Sequence, residues 1–219
     1  MDFSKLLKFA LRTLFRRGRH LSGLQYWTKR VEQFGERSVL NLGFSEHDYE
    51  KATATQKSEL YGFFRKSLRG DEKVLLDFGC GTGRFTSDLA QMTGAMAIGI
   101  DPIAELLKHA PQSENVEFKL MKAGVIPLMD VSVDVVWICL VLGGIEDALL
   151  SITINEIDRV LKKGGLLFLV ENTTQKPDAS YWKYRTWEEY RQLLSFVRLE
   201  QVHEYNELDE RISIMVGRK

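Results

Sequence analysis

Residues 74–90 read VLLDFGCGTGRFTSDLA, with Gly79, Gly81 and Gly83 alternating directly behind an apolar run. Glycine at these positions removes Cβ atoms and admits positive φ, so the backbone can pass close beneath a ligand. The helix opening near Arg84 then offers free N–H groups and a positive dipole end to an anionic group. A turn built only for packing uses the same residue type, but the next strand favours a ligand. Twenty-two positions beyond Gly79, Asp101 ends a second apolar run in AIGIDP, where a carboxylate can accept hydrogen bonds from both hydroxyls of a ribose. The spacing discriminates among nucleotides as well. Dinucleotide turns read G-x-G-x-x-G/A, whereas GCGTGR has glycine at its first, third and fifth positions and Arg84 at its sixth. A nucleoside ligand without a pyrophosphate is expected.

The elements that must hold these residues are legible as alternating patterns. Val74–Phe78, Ala95–Ile100, Val116–Leu120, Val133–Leu140 and Leu166–Val170 are short apolar runs that suit strands buried on both faces. Between them lie amphipathic stretches, the clearest being Leu149–Leu161 with Lys162-Lys163-Gly164-Gly165 as its stop. That alternation predicts an α/β, Rossmann-like doubly wound sheet. Val197–Tyr205 and Arg211–Val216, joined by the polar Asn206–Glu210, read as a terminal hairpin, and residues 21–70 read as a helical cap over the sheet's carboxyl edge. The division expected is a basic N-terminal helix at 1–20, the cap at 21–70 and the main domain at 71–219.

Composition narrows the function classes. Thirty basic and thirty acidic residues among 219 give no net charge, so no global field draws the chain to nucleic acid. Cys80 and Cys139 are the only cysteines, which excludes a disulfide framework and an all-cysteine metal site; free thiols, no metal and a reducing cytoplasm are expected. No apolar run approaches the roughly 20 residues that span a bilayer.

Together LLDFGCGTGRF, GID and LKKGGLLFL resemble the class I S-adenosylmethionine-dependent methyltransferases, in particular their small-molecule group, over about residues 73–171. The resemblance implies a seven-stranded sheet ending in the antiparallel hairpin, and S-adenosylmethionine as cofactor. It also implies that Asp77 engages the methionine end, that the glycine turn passes under it, and that Asp101 holds the ribose. Relatives commonly carry an acid where Lys122 stands, so adenine is left to backbone near Ala123 and to apolar contacts from Ile103 and Val125. Many relatives carry a histidine pair after the fourth strand, where this chain has Gly143-Gly144; no base is assigned there. The expected activity is methyl transfer to oxygen of a small or glycan-like acceptor. The alternative is a non-catalytic nucleotide-binding or scaffold protein on the same fold.

Methyl transfer is an in-line displacement, so holding the acceptor matters more than acid–base chemistry. His47 in the cap and Glu171 after the fifth strand are the candidate catalytic groups; His20, His109 and His203 suit surface or packing roles. Tyr181, Trp182 and Arg185 in YWKYRTW form either a packed connection or an aromatic pocket whose guanidinium holds an acceptor anion. Tyr26, Trp27 and Arg30 suit a lid or burial against the sheet. Residues 1–20 carry six basic side chains against Asp2 alone, and Phe3, Leu7, Ala10, Leu11 and Leu14 fall on one helical stripe. Such a helix can dock on its own domain, bind a partner, or attach peripherally to an anionic inner membrane face.

Overall fold

The computed structural model describes residues 23–41, 43–44 and 48–219. Seven strands form one sheet: β1 (Val74–Phe78), β2 (Met96–Asp101), β3 (Val116–Leu120), β4 (Val133–Cys139), β5 (Leu161–Asn172), β6 (Glu200–Glu207) and β7 (Glu210–Arg218). Their order is β3-β2-β1-β4-β5-β7-β6. β1 to β5 are parallel, and β7 runs antiparallel between β5 and β6. The helices among the described residues are α1 (Gly23–Phe34), α2 (Tyr49–Ser67), α3 (Thr86–Thr93), α4 (Ala104–Leu107), α5 (Asp147–Val160) and α6 (Trp187–Leu193). The strand order reverses between β1 and β4, which opens a crevice beyond their carboxyl ends.

Strand alternation sorts the apolar residues into two cores. Leu76, Phe78, Val136, Ile138, Leu167 and Leu169 pack with Leu150, Ile154 and Ile157 of α5. Leu75, Val135, Trp137, Leu166, Phe168 and Val170 pack with Leu60 and Phe64 of α2. Successive side chains point to opposite faces and both faces are covered, which is why these strands read as unbroken apolar runs. In α2 the buried positions Ala52, Gln56, Leu60 and Phe64 recur every fourth residue. Phe64 meets Trp137 edge-on at 5.0 Å and Phe168 at 5.3 Å, while those two rings stack at 4.7 Å. Burying each such side chain contributes about 1.5–3 kcal/mol, so the centre of the sheet is the rigid base for what its carboxyl edge carries.

The segment expected as a cap divides in two. α1 and the 3-10 turn Gly35–Val39 bring Trp27, Ser38 and Val39 to the crevice, whereas α2 covers the sheet's face through Leu60 and Phe64. Several boundaries differ from the sequence reading, three of them with a clear physical consequence. The first helical turn after the glycines begins at Thr86, leaving Arg84 in the turn itself. β5 starts at Leu161, so Lys162–Gly165 belong to the strand rather than only to a stop. The hairpin ladder continues through Asn206–Arg211 and Glu207–Glu210, leaving a two-residue turn at Leu208 (φ 49°) and Asp209 (φ 63°). Positive φ at both central residues matches the right-handed twist of the strands, but the chain makes this turn without glycine, so its sequence looked like a longer loop. No helix among the described residues is long and apolar enough to cross a membrane.

Candidate functional site

A cavity of about 200 Å³ occupies the crevice. Asp77, Gly79, Gly81 and Arg84 line one side; Asp101, Ile103, Leu106, Met121, Ala123 and Gly124 line the next. Leu140, Val141, Gly144, Ile145, Glu146 and Leu149 line a third stretch, and Leu24, Trp27, Ser38 and Val39 complete the lining from α1 and the 3-10 turn.

The glycine turn has the geometry that its sequence demanded. Gly79, Gly81 and Gly83 have φ of 71°, 57° and 71°. Gly79 and Cys80 both donate to the Ile100 carbonyl, at 2.8 and 3.0 Å, which ties the turn to the end of β2. A Cβ on Gly79 would stand 2.6 Å from Val141, on Gly81 2.7 Å from Val39 and on Gly83 2.7 Å from Phe118. Gly79 and Gly81 lie on the cavity; Gly83 lets the turn close against β3 instead.

Asp77 and Asp101 are 3% and 6% exposed. Thr86 Oγ1 donates to Asp77 Oδ2 at 2.6 Å. Burial pushes the Asp77 carboxyl up to about 7, against the opposing pull of Thr86 and Arg84. Asp101 accepts the Gly81 N–H on Oδ2 at 3.0 Å and the Ile103 N–H on Oδ1 at 2.9 Å. Burial pushes it up to about 6 despite these bonds. Each Asp101 oxygen uses one lone pair on backbone, and a carboxylate oxygen has a second. It is therefore a turn brace that still has acceptor capacity facing the cavity.

Beyond β3, Val125 donates to the Lys122 carbonyl at 3.0 Å across Ala123 (φ 51°) and Gly124 (φ 76°). Left-handed backbone at an alanine costs about 1 kcal/mol, and Leu140 at the end of β4 carries a similar φ of 57°. Both lie on the cavity wall. Ile103 lines the cavity as expected; Val125 does not, being 52% exposed.

The crevice, the glycine turn and the acid after β2 coincide with a known domain. Residues 76–169 match the methyltransferase domain family. These residues support the class I S-adenosylmethionine-dependent methyltransferase family for the domain that carries the crevice. The chain is 28% identical over 162 residues to malonyl-acyl-carrier-protein O-methyltransferase of Hamiltonella defensa, covering 71% of this chain and 61% of that protein. It is 31% identical over 141 residues to demethylmenaquinone methyltransferase of Lactococcus lactis, covering 60% and 51%. The chain thus spans about half to three-fifths of the length of these curated relatives. Among solved structures, a SAM-dependent methyltransferase from Aquifex aeolicus has the same fold, with a TM-score of 0.61 at 19% identity over 80% of this chain and 100% of that one.

The remaining expected site residues fall elsewhere. His47 lies outside the described residues, as does the basic segment 1–20. Glu171 is fully buried, and its carboxylate faces backbone rather than the cavity. Oε1 accepts N–H groups of Val141 at 2.9 Å and Leu142 at 2.6 Å, and Oε2 accepts the Tyr190 hydroxyl at 3.3 Å. Burial pushes it up to about 7. Tyr181 stacks on Tyr26 at 4.1 Å. Trp182 lies on Gly143, where a Cβ would come within 2.3 Å of its ring. The Arg185 guanidinium reaches the Leu142 carbonyl at 3.5 Å and Asp147 at 3.4 Å. Tyr181 and Trp182 lie in the packed connection, away from this cavity, while Arg185 lines a second cavity of about 400 Å³ together with Lys176, Tyr184 and Glu189. Arg30 is buried and donates to the Ser38 and Leu40 carbonyls and to the Tyr26 hydroxyl, so within the cap it is Trp27 that faces the cavity. His109 pairs with Glu36 at 3.0 Å and His203 stacks on Phe63 at 4.6 Å. Both cysteines are free thiols. Among the described residues, no group of three or more His, Cys, Asp or Glu side chains is placed to hold a metal ion.

Sequence reasoning missed why Gly143 and Gly144 are glycines. Trp27 Nε1 donates to the Gly144 carbonyl at 3.2 Å, and a Cβ on Gly144 would stand 2.9 Å from the Trp27 ring. Two indoles lie directly on this loop. The only sequence signal was the glycine pair itself.

Proposed function

We propose that this chain transfers the methyl group of S-adenosylmethionine to oxygen of a small acceptor with an apolar body. The observation that supports the reading is one cavity lined by two buried carboxylates beside the glycine turn and by the apolar Leu24, Trp27, Leu140, Ile145 and Leu149, with Glu146 and Thr153 among them. In this reading Asp101 accepts both ribose hydroxyls, Asp77 attracts the methionine end, and backbone at Ala123–Gly124 with Ile103 borders adenine. The Asp101 lone pairs left free by Gly81 and Ile103 fit a cis-diol. The cofactor supplies a methyl group activated by a positively charged sulfur; the chain's part is to exclude water and hold the acceptor in line.

Leu24, Trp27, Leu140, Ile145 and Leu149 then border the acceptor. Their character suits a ring or acyl body, with Glu146 and Thr153 on the same lining able to meet a polar group of the acceptor. The relatives named for malonyl-acyl-carrier protein and demethylmenaquinone agree with that preference. None of the described lining residues is a histidine, which suits an acceptor oxygen that is already ionised near neutrality. The amphipathic sequence of residues 1–20 supports peripheral contact with an anionic membrane surface, which would bring such acceptors close. Sedimentation with anionic vesicles, abolished by deleting residues 1–18 and weakened by salt, is the expected result for that contact.

Calorimetric titration with S-adenosylmethionine, S-adenosylhomocysteine and a nicotinamide dinucleotide tests the central reading. Binding of the first two and not the third is expected, followed by methylated product in mass spectra with carboxylate or phenolic acceptors. A folded protein that ignores both sulfur ligands overturns it.

A further inference from the structure

The loop after β4, residues 141–144, is held from outside itself at five of its eight backbone polar groups, while the Gly144 N–H closes onto the Val141 carbonyl at 3.0 Å within the loop. Glu171 at the end of β5 takes the Val141 and Leu142 N–H groups, and Arg185 approaches the Leu142 carbonyl. The Gly143 carbonyl accepts the Lys183 N–H at 2.8 Å, and the Gly144 carbonyl accepts Trp27 Nε1. Tyr190 on α6 holds the far oxygen of Glu171. A capping box of Thr186 and Glu189 fixes the start of that helix. The indoles of Trp27 and Trp182 meet edge-to-face at 6.3 Å over the glycine pair.

A loop clamped in this way transmits its position to the cofactor end of the cavity. Val141 packs on Gly79, close enough that a Cβ there would stand 2.6 Å from either Val141 methyl group. Val141, Gly144 and Ile145 also line the cavity. A carboxylate buried at 0% exposure is retained at a desolvation cost, and here its oxygens are spent on the backbone of one cavity-lining loop.

We infer that Glu171 is a positioning residue: by accepting the Val141 and Leu142 N–H groups it fixes the loop that joins the glycine turn to the Trp27 roof, and so shapes the cavity for cofactor and acceptor. This rests on the reading of the cavity as the S-adenosylmethionine site. Reach, not charge, is what the role needs. Glu171→Gln keeps an oxygen at the same distance for both N–H groups, and its amide can donate to Tyr190 Oη. Glu171→Asp keeps the charge but withdraws the oxygens by one methylene.

The test measures S-adenosylhomocysteine affinity by calorimetry and hydrogen exchange over residues 139–146, in the full chain and both variants, with folding checked by circular dichroism. Glu171→Gln should stay within about threefold of wild type, whereas Glu171→Asp should weaken affinity about tenfold or more, as expected for stranding one buried donor. Exchange at Val141 and Leu142 should accelerate in Glu171→Asp alone, with β1 and β4 still protected. Should Glu171→Asp not fold, Tyr190→Phe, which frees the carboxylate on its far side, takes its place with the same direction expected. Wild-type affinity and protection in the short variant overturn the inference, as does equal loss in both variants, which would mark charge as the requirement. Wild-type protein that binds no S-adenosylhomocysteine refutes the site reading instead, and the exchange arm still judges the clamp.

Discussion

Asp101 is asked to brace the turn and to hold a ribose, and Asp101→Asn separates these tasks. The amide keeps one acceptor oxygen but places an NH₂ against a second backbone donor, Gly81 N–H or Ile103 N–H, which the carboxylate now satisfies at 3.0 and 2.9 Å. Hydrogen bonds to a charged group contribute about 1.5–3 kcal/mol each. Losing one and weakening the other raises the S-adenosylhomocysteine Kd by about 2–4 kcal/mol, roughly thirtyfold to a thousandfold. Burial pushes the Asp101 carboxyl up to about 6, so wild type holds its charge near pH 8 and has lost most of it near pH ~5. The gap between wild type and variant should therefore be wide near pH 8 and narrow toward acid. Asp77 titrates in the same region and is itself raised by the Asp101 charge, so the same pair of titrations in an Asp77→Asn background isolates Asp101. Calorimetry at the two pH values, with thermal melting to confirm folding, is the assay. A folded variant within threefold of wild type near pH 8, or a gap that widens in acid, refutes the assignment.

Three further outcomes are expected. Gly143→Ala puts a Cβ 2.3 Å from the Trp182 ring; displacing the indole should cost about 1–3 kcal/mol, seen as a lower Tm in differential scanning calorimetry, and an unchanged Tm would mean that the ring yields freely. Asp209→Gly relieves the φ of 63° in the β6–β7 turn and should stabilise the protein by about 0.5–1 kcal/mol in urea denaturation; a loss of stability would contradict the turn geometry. Burial pushes Asp77 and Glu171 up to about 7 and Asp101 to about 6, so between pH ~4 and ~7 the folded state binds more protons than the unfolded state at these groups. Their contribution therefore favours folding in acid and declines as pH rises through that window. Replacing Asp77 by Asn should flatten the decline in the ligand-free protein, and an unaltered pH profile would count against the raised value.

How much of this was written in the sequence depends on the range over which each pattern acts. The spacing VLLDFGCGTG sets a strand and a glycine turn within ten residues, and Asp101 lies at the end of the neighbouring strand, bonded back to that turn. Local order and a single crossover were enough to place them, and the same holds for β3, β4 and the terminal hairpin, whose apolar alternation is a property of each segment alone. The turn at Leu208–Asp209 escaped because its left-handed backbone is imposed by the strands it joins, not by glycine. The loop at 141–144 escaped for a deeper reason. Its glycines are empty space for Trp182, 39 residues later, and for Trp27, 117 residues earlier, and nothing in the chain's local pattern says which side chains will come to lie there. Glu171 carried the right chemistry for a ligand but was claimed by backbone donors of that same loop, and Arg185 came to line a different cavity. Residue type and spacing determined what groups were available at the carboxyl edge. Burial decided which of them face the cavity, because a polar group removed from water must be satisfied by whatever the packed chain brings beside it.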